Sequence, residues 1–449
     1  MRNRLIILLL SFFFLTTTYS QEKQLSFTLE EAIQYALENN RAIKNAERDV
    51  EAAKKRKWET TTMGLPQVSA KVDYQNWLKQ QVSLVPAEFF GGNAGEFAEI
   101  AFGTKQNINA TATLNQLLFD GSYLVGLQSA KVFLEISKNA KEKTDLEIRK
   151  TVINAYGNVL LAEESVTITK NNKSVLEKNL NETQKIYENG LTEEENVEQL
   201  QITLLQLDTN LKNAIRLRDI AYKMLNITLG IDLNETIILK SNLETLAEQY
   251  ITLNLLDANE TVENTIDYKI ALNDKRSKEL LLKLEKSKAL PQLNAFVNAG
   301  YTGNGNSFDF LKKEQRWFGF SLVGISLNVP IFSSLGRSAA TQRAKINLEK
   351  AKTDLTETEQ QLKFQIASAK SNYQFSIESY KTAKQNLALA ERIEKKNQLK
   401  FSEGIATSFD LRQAQIQLYT AQQQYLKAML NVITNKTALE TVLSTITNN

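Results

Sequence analysis

The side chains that most often perform catalysis or bind metals are scarce in this chain of 449 residues. It contains no histidine and no cysteine, which excludes imidazole proton transfer, thiolate chemistry, disulfides and imidazole-based zinc sites. Carboxylate pairs such as Glu30 with Glu31, and Glu163 with Glu164, are the remaining candidates for acid–base catalysis. Residues adjacent in sequence do not share a helix face, so we interpret these pairs as solvated surface. We therefore predict no enzymatic activity, no resident metal and no cofactor.

Acidic and basic side chains nearly balance, and one acidic run stands out among them. The 54 Lys and Arg and 51 Asp and Glu give a net charge of +3, which indicates no bias toward nucleic acid. The run is Glu193, Glu194 and Glu195, shortly after Gly190. Repeated in a ring of subunits, it would attract cations. Acidic residues are also favoured in the first turn of a helix by the helix dipole, which is the simpler interpretation.

The chain is a tandem duplication with a period of roughly 215–225 residues, and we place its repeats at about 27–230 and 257–446. Three motifs occur twice, in the same order in each repeat. Gly64–Gln67 corresponds to Ala289–Gln292, Leu114–Phe119 to Leu327–Phe332, and Tyr187–Leu191 to Phe401–Ile405. A repeat of this length predicts an extended fold and not a compact enzyme core. We interpret residues 21–449 as a single domain built from both repeats.

Proline and glycine divide each repeat into helical and stranded segments. All four prolines lie within about 64–119 and 289–332, so the stretches outside these windows can form long helices. Apolar residues at heptad spacing from Leu348 to Ala390 predict a coiled-coil seam. We predict helices at about 28–62, 122–187, 192–229, 257–288, 337–401 and 407–446. The two longest, of about 65 residues, would each span roughly 100 Å.

Alternating sequences predict two strand pairs, at about 64–119 and 289–332. Apolar residues occupy every second position of 67–75, 107–115, 292–301 and 323–331, mostly separated by uncharged polar residues. This alternation is typical of a transmembrane barrel wall, although a half-buried soluble sheet shares it. Aromatic residues near the strand ends, such as Tyr74 and Trp317, favour the membrane interpretation. Phe318, Phe320 and Leu322 fall on the polar phase, so we expect a bulge or a turn there.

Four strands are too few to close a barrel. An open edge in hydrocarbon leaves backbone groups unpaired, at a cost of several kcal/mol each. The smallest membrane barrels have about eight strands, so at least two copies of the chain are needed. This argument leaves both two and three copies open.

Residues 1–20 predict a secretory signal peptide. Arg2 and Arg4 precede an apolar stretch from Leu5 to Leu15, and cleavage is expected near Ser20. The apolar stretch is too short to span a bilayer as an anchor. Because the chain has no cysteine, a lipid anchor at the cleavage point is not expected.

Together these features resemble the TolC-like outer-membrane efflux proteins over about residues 27–446. The residues that carry the resemblance are Thr28–Ala32, Leu327–Phe332, and Glu403–Ile405 with Phe409–Leu411. The resemblance implies a mainly α fold with transmembrane β: long coiled-coil helical hairpins plus four β-strands per chain. In a homotrimer, these would complete a twelve-stranded barrel in outer-membrane lipid and an α-helical tunnel extending into the periplasm.

The function that the resemblance implies is a passive duct of a tripartite efflux or type I secretion system. Substrates would enter from a periplasmic adaptor protein and an inner-membrane pump of the RND or ABC type. The alternative is that the chain is itself a periplasmic adaptor or coiled-coil spacer. An adaptor would carry one long helical hairpin between small β-rich modules, whereas this sequence predicts two hairpins with strands between the helices.

The resemblance also implies roles for residues at the hairpin turns. The adaptor-contacting turns would be Asn189, Gly190 and Leu191, and Glu403, Gly404 and Ile405. The candidates for the aperture or gate are Asp410, Gln413, Asn196, Glu193, Glu194 and Glu195. Asn196 stands where an aspartate can tie the closed tip, and Ala406 where its basic partner can sit. These replacements put a salt-bridge lock in doubt.

Overall fold

A computed structural model describes residues 25–256 and 261–445, and the predicted signal peptide lies outside them. The described chain is mainly helical, as predicted. In chain order its helices are α1 (Leu29–Asn39), α2 (Arg41–Thr62), α3 (Gly121–Glu188), α4 (Glu194–Leu229), α5 (Leu243–Gln249), α6 (Ile266–Ser287), α7 (Gly336–Ser402) and α8 (Ser408–Leu443). Its strands are β1 (Leu25–Phe27), β2 (Gln67–Asn76), β3 (Val82–Pro86), β4 (Phe97–Ala101), β5 (Gln106–Asp120), β6 (Ile237–Leu239), β7 (Gln292–Gly305) and β8 (Trp317–Asn328).

The two long helices match the prediction to within about one residue at each end. Helix α3 has 68 residues and α7 has 67, and neither contains a proline. Their partners α4 and α8 have 36 residues each and begin just after Gly190 and Gly404. None of the described helices carries an apolar stretch of the length and hydropathy that a bilayer crossing needs.

The predicted helix at 28–62 is wrong in one respect, because it is two helices separated at Asn40. This residue has an extended backbone, with φ −61° and ψ 137°. Its side-chain amide donates to the Thr228 carbonyl at 2.7 Å, and its side-chain oxygen accepts from the Ala42 N–H at 2.7 Å. A contact distant in sequence therefore stabilises the break and caps α2. The helix predicted at 257–288 also begins later, at Ile266.

The chain forms two compact units, and each takes segments from both repeats. One unit comprises the chain up to Glu47, Lys141–Asp267 and the part from Glu359 onward. Its hydrophobic core is built by α1, the middle of α3, and parts of α4, α5, α7 and α8, with the fully buried side chains of Tyr156, Leu225, Tyr373 and Val432 among its members. Strands β1 and β6 form a parallel pair in this unit.

The other unit, Arg48–Ala140 with Tyr268–Thr358, contains an antiparallel sheet in the order β2-β5-β7-β8. The register confirms the predicted phase, since Val68 pairs with Leu114, Leu114 with Val297, and Val297 with Val323. These residues lie on one face, which we call the apolar face. Val68 is 72% exposed and Val323 75% exposed, so nothing in the described part of this chain covers that face.

The opposite face, which we call the polar face, contradicts one expectation. We expected a bulge or a turn at Phe318, Phe320 and Leu322, but β8 pairs with β7 without interruption from Gly303–Trp317 to Gln292–Asn328. The three apolar side chains therefore lie on the polar face. The register shift in this sheet occurs elsewhere, between Leu117 and Phe119 of β5.

The segment between β2 and β5 holds a hairpin where the sequence predicts only a loop. Strands β3 and β4 pair antiparallel, from Val82 with Ala101 to Pro86 with Phe97. The prediction of four strands per chain is therefore right for the β2-β5-β7-β8 sheet but omits this hairpin and the β1–β6 pair. Beyond the sheet, the segment between β7 and β8 folds back, and the rings of Phe308 and Phe310 pack edge-on against Tyr74, at centroid distances of 5.6 and 6.3 Å.

Candidate functional site: the two hairpin turns

The turns that join α3 to α4 and α7 to α8 have the same backbone geometry. Gly190 and Gly404 both adopt the left-handed conformation, with φ +72° and +69°. The Gly190 N–H donates to the Tyr187 carbonyl at 2.8 Å, and the Gly404 N–H donates to the Phe401 carbonyl at 3.0 Å. In each turn the next residue also donates back across the helix end. The duplicated motif thus encodes one helix stop twice, where glycine avoids the strain of a side chain at positive φ.

The predicted adaptor-contacting residues all lie on the surface of these turns. Asn189, Gly190, Leu191, Glu403, Gly404 and Ile405 are exposed. Leu191 is 78% exposed and Ile405 76%, so each turn presents one large apolar side chain to solvent. The Asn189 side chain is engaged within its own turn, because its amide donates to the Lys185 carbonyl at 2.7 Å.

Asp410 lies at the start of α8 and forms a capping box with Thr407. Its N–H donates to the Thr407 hydroxyl oxygen at 3.1 Å, and its carboxylate accepts from the Thr407 N–H at 3.0 Å. The Thr407 hydroxyl also donates to the carboxylate, at 2.6 Å. These bonds, led by the one from the hydroxyl, hold the pKa of Asp410 below its usual value. Gln413 lies one turn further along α8.

The acidic run occupies the corresponding start of α4 without such a cap. Glu193 holds the N-cap position but makes no side-chain cap bond, and Glu194 and Glu195 lie in the first turn. All three are exposed. Glu195 accepts a hydrogen bond from the Gln199 amide at 2.8 Å. Their position at a helix N-terminus agrees with the helix-dipole interpretation.

Asn196 connects the two hairpins. Its side-chain oxygen accepts a hydrogen bond from the Ser408 hydroxyl on α8, and its amide donates to the Thr192 hydroxyl oxygen at 3.0 Å. Asn196 therefore joins the starts of α4 and α8 without any charge. Sequence reasoning identified Asn196 but not Ser408, the residue that it contacts.

Two further amide contacts between the hairpins were not predicted from the sequence. Asn179 on α3 donates to Gln398 on α7 at 3.1 Å and accepts from it at 2.9 Å, so the pair is reciprocal. Asn172 donates to Gln422 on α8 at 2.7 Å. With Asn196 and Ser408, these pairs form what we call the amide ladder. Asn and Gln at buried coiled-coil positions are the sequence signal that could have identified these contacts.

Charged contacts occur within the first hairpin. Lys173 on α3 lies 2.6 Å from Asp208 on α4, and Lys212 lies 2.7 Å from the same carboxylate. The hydrogen bonds from Lys173 and then Lys212 lower the pKa of Asp208 to about 2. Within the second hairpin, burial raises the pKa of Glu394 on α7, an effect that Gln415 on α8 partly opposes.

The chain matches the family model for outer membrane efflux proteins at residues 32–230 and 277–445, which is most of its length. The chain belongs to this family. An outer membrane efflux protein is a transport protein, so the predictions of an efflux channel and of a chain without enzymatic activity are confirmed. The alternative of a periplasmic adaptor or spacer is wrong. Outer membrane efflux channels of this TolC-like type act in tripartite systems.

Solved structures agree with this outer membrane efflux fold. The chain is similar to VceC of Vibrio cholerae, with a TM-score of 0.71 at 16% identity over 93% of this chain and 96% of that one. It is similar to the open state of MtrE of Neisseria gonorrhoeae, with a TM-score of 0.72 at 17% identity over 93% and 89% of the two chains. CmeC of Campylobacter jejuni gives 0.71 at 17% identity over 93% and 85%. The sequence has no match among curated proteins.

Among residues 25–256 and 261–445, no group of three acidic side chains is arranged to hold a metal ion. The candidate residues thus divide by position. Those of the two turns share an exposed surface, Asp410 and the acidic run begin equivalent helices, and Asn196 makes a contact between hairpins. The candidate site therefore consists of exposed helix ends joined by a hydrogen bond between the two hairpins.

Proposed function

We propose that three copies of this efflux channel close one continuous wall in the outer membrane. The observation that carries the proposal is the sheet β2-β5-β7-β8, whose two outer strands have unpaired edges and whose apolar face is uncovered in the described chain. Pairing β8 of one copy with β2 of the next satisfies both edges, and lipid covers the apolar face. Three copies give a twelve-stranded barrel with the polar face directed to the lumen.

The same assembly brings the long helical hairpins together as a periplasmic tunnel. The single domain of residues 21–449 then supplies two similar hairpins, one from each repeat, to the tunnel wall. A signal peptide at residues 1–20, cleaved near Ser20, directs the chain to the periplasm. The duct is passive, it binds no nucleic acid, and its partners besides outer-membrane lipid are a periplasmic adaptor and an inner-membrane pump of the RND or ABC type.

The two turns are the proposed adaptor contact. Leu191 and Ile405 support this assignment, because each is a large, exposed apolar side chain that directly follows a glycine turn. In many protein interfaces a few well-packed side chains near the centre of the contact contribute most of the binding energy. We propose that the adaptor binds these two side chains, together with Asn189, Gly190, Glu403 and Gly404.

We call the end of the hairpins that carries the two glycine turns the tip. We propose that neutral hydrogen bonds, and not a salt bridge, hold the tip closed. The amide ladder supports this, since its three links are between uncharged side chains. Asp410, Gln413 and Glu193–Glu195 would then line the entrance as a polar and acidic rim around those links.

Purified protein in planar bilayers tests the proposal. The detergent-extracted oligomer should insert and conduct ions in steps, with a small conductance when the tip is closed. Removing two of the three links of the ladder, with Asn196→Ala and Asn179→Ala, should raise the conductance of each step. Protein that extracts from the outer membrane as a monomer, or that never conducts, would reject the proposal.

A further inference from the structure

The polar face of the sheet carries a continuous apolar strip. On β2 and β5 this face carries mainly polar residues, such as the paired Ser69 and Thr113, as expected of a surface in water. On β7 and β8, however, the same face carries Phe296, Phe318, Phe320 and Leu322, which we call the apolar strip. This placement is not a result of a local irregularity, because the pairing of β7 with β8 is unbroken.

Two of these rings lie against the sheet, each over a glycine of the neighbouring strand. A Cβ atom added at Gly324 would lie 2.5 Å from the Cζ atom of Phe296. One added at Gly300 would lie 2.9 Å from the Cζ atom of Phe320. The glycines thus leave space that the rings fill, a known means of covering glycine in a strand. Rings in this position project little into a lumen but present a face to it.

The strip remains largely open to solvent. Phe318 is 48% exposed, Phe320 41% and Leu322 55%, and their surface is far smaller than a protein contact requires. Apolar side chains that lie among amides and hydroxyls on a solvent-exposed face can therefore bind a small solute with an aromatic ring. Aromatic pairs contribute about 0.5–1.5 kcal/mol beyond their buried area, so binding would be weak and reversible.

A positive charge lies at one end of the strip. The guanidinium carbon of Arg316 is 5.2 Å from the centroid of the Phe318 ring, within the range of a cation–π contact. Asp309, which lies in the same loop, is paired with Lys312, and in the part of the chain that the structure describes no ion pair involves Arg316. Its charge is therefore available to an acid group on a solute that stacks on the neighbouring rings.

We propose that the apolar strip is a binding platform for aromatic anions passing along the channel. The ring of the solute stacks on Phe318 and Phe320, Leu322 contacts its edge, and Arg316 pairs with its acid group. The inference rests on the proposed function, because that function directs the polar face to the lumen. Weak stacking suits a duct, since a solute must leave the platform as readily as it enters.

Current block in planar bilayers tests this platform. Naphthalene-1-sulfonate, added to the extracellular side of the oligomer, should cause brief interruptions of the ion current. Cyclohexanesulfonate, which has the same charge but no aromatic ring, should block far less. In the double variant Phe320→Ser with Leu322→Ser, the half-blocking concentration of naphthalenesulfonate should rise about tenfold, in line with the loss of one stacked ring.

Matched variants separate binding at the platform from general effects on the channel. Ser326→Ala, on the same strand and face, should leave the block unchanged. Phe320→Leu keeps an apolar side chain over Gly300 and should weaken the block severalfold with the oligomer intact. Arg316→Gln should weaken the block by naphthalenesulfonate but not by neutral 1-naphthalenemethanol.

Two results would overturn the platform. The first is equal block by the aromatic and the saturated sulfonate. The second is an unchanged block in the serine double variant. If the oligomer of that variant also dissociates at a lower temperature, the strip is a contact between subunits and not a binding platform. A wild-type protein that forms no channel would instead reject the proposed function, and the platform with it.

Discussion

Replacing Asn179 by alanine removes two hydrogen bonds at once, because its amide both donates to Gln398 and accepts from it. Asn179 is 1% exposed, so water does not take its place as the hydrogen-bond partner of Gln398. If the hairpins separate when the channel opens, the pair is broken in the open state. The variant should therefore shift the channel toward the open state.

The size of the shift follows from the two bonds. A net contribution of about 0.5–1.5 kcal/mol for each gives about 1–3 kcal/mol for the pair, or roughly a 5- to 150-fold change in the ratio of open to closed channels. Asn179→Ala and Gln398→Ala should each give a shift of this size. The double variant should show little more than either single variant, because the first substitution already removes both bonds.

Open fractions in planar bilayers measure this double-mutant cycle directly. Asn210→Ala is the control, since Asn210 is an exposed amide of α4 whose partner, Gln206, lies on the same helix. It should leave the open fraction unchanged. Because the pair is neutral, its coupling energy should also be the same in dilute and concentrated salt.

Two outcomes would refute this reasoning. Additive effects of Asn179→Ala and Gln398→Ala would mean that the two side chains act independently of each other in gating. An open fraction that rises steeply with salt concentration, with no coupling between the amides, would mean that ion pairs hold the tip closed.

Three further predictions concern single side chains at the hairpin ends. Asp410→Asn keeps an acceptor for the Thr407 N–H but removes the charge, so it should reduce cation block in bilayers. The control, Thr407→Ala, should weaken the cap and leave that block unchanged. An unaltered block in Asp410→Asn would show that Asp410 does not line the aperture. Gly404→Ala meets no neighbouring atom within 4 Å but requires positive φ, so the turn should lose about 1–2 kcal/mol and become more sensitive to limited proteolysis, and equal resistance would contradict it. Burial raises the pKa of Glu394 above its usual value of 4.5, so the folded state binds its proton more tightly and gains stability as pH falls through that raised pKa. Glu394→Gln should therefore raise the urea midpoint at pH 7 and leave it unchanged near pH 4; the opposite pH dependence would show that the carboxylate is stabilised in its charged form.

Much of the fold could be predicted from the sequence because it follows from local patterns. The long helices α3 and α7 require only that breaking residues be absent, and the strand phase requires only alternation. The two glycine turns follow from a motif that is repeated with its glycine in the same place. In each case the signal and the structure it specifies occupy the same few residues.

The features that were missed depend on contacts between residues distant in sequence. The break at Asn40 needs the carbonyl of Thr228, and the Asn179–Gln398 pair joins helices from different repeats. The phase of Phe320 is irregular in the sequence, whereas the register places Gly300 beneath its ring. Such pairings are tertiary, so no window of the sequence contains both partners.

The most direct test of the three-copy wall uses the absence of cysteine from the chain. One cysteine at Val72 on β2 is combined in turn with a cysteine at Ser321, Val323 or Ile325 on β8, all on the apolar face. After oxidation in outer membranes, the pair that meets across the seam should give covalent species of one, two and three chains and none larger. A series that ends at two chains, or continues beyond three, would contradict the trimeric channel.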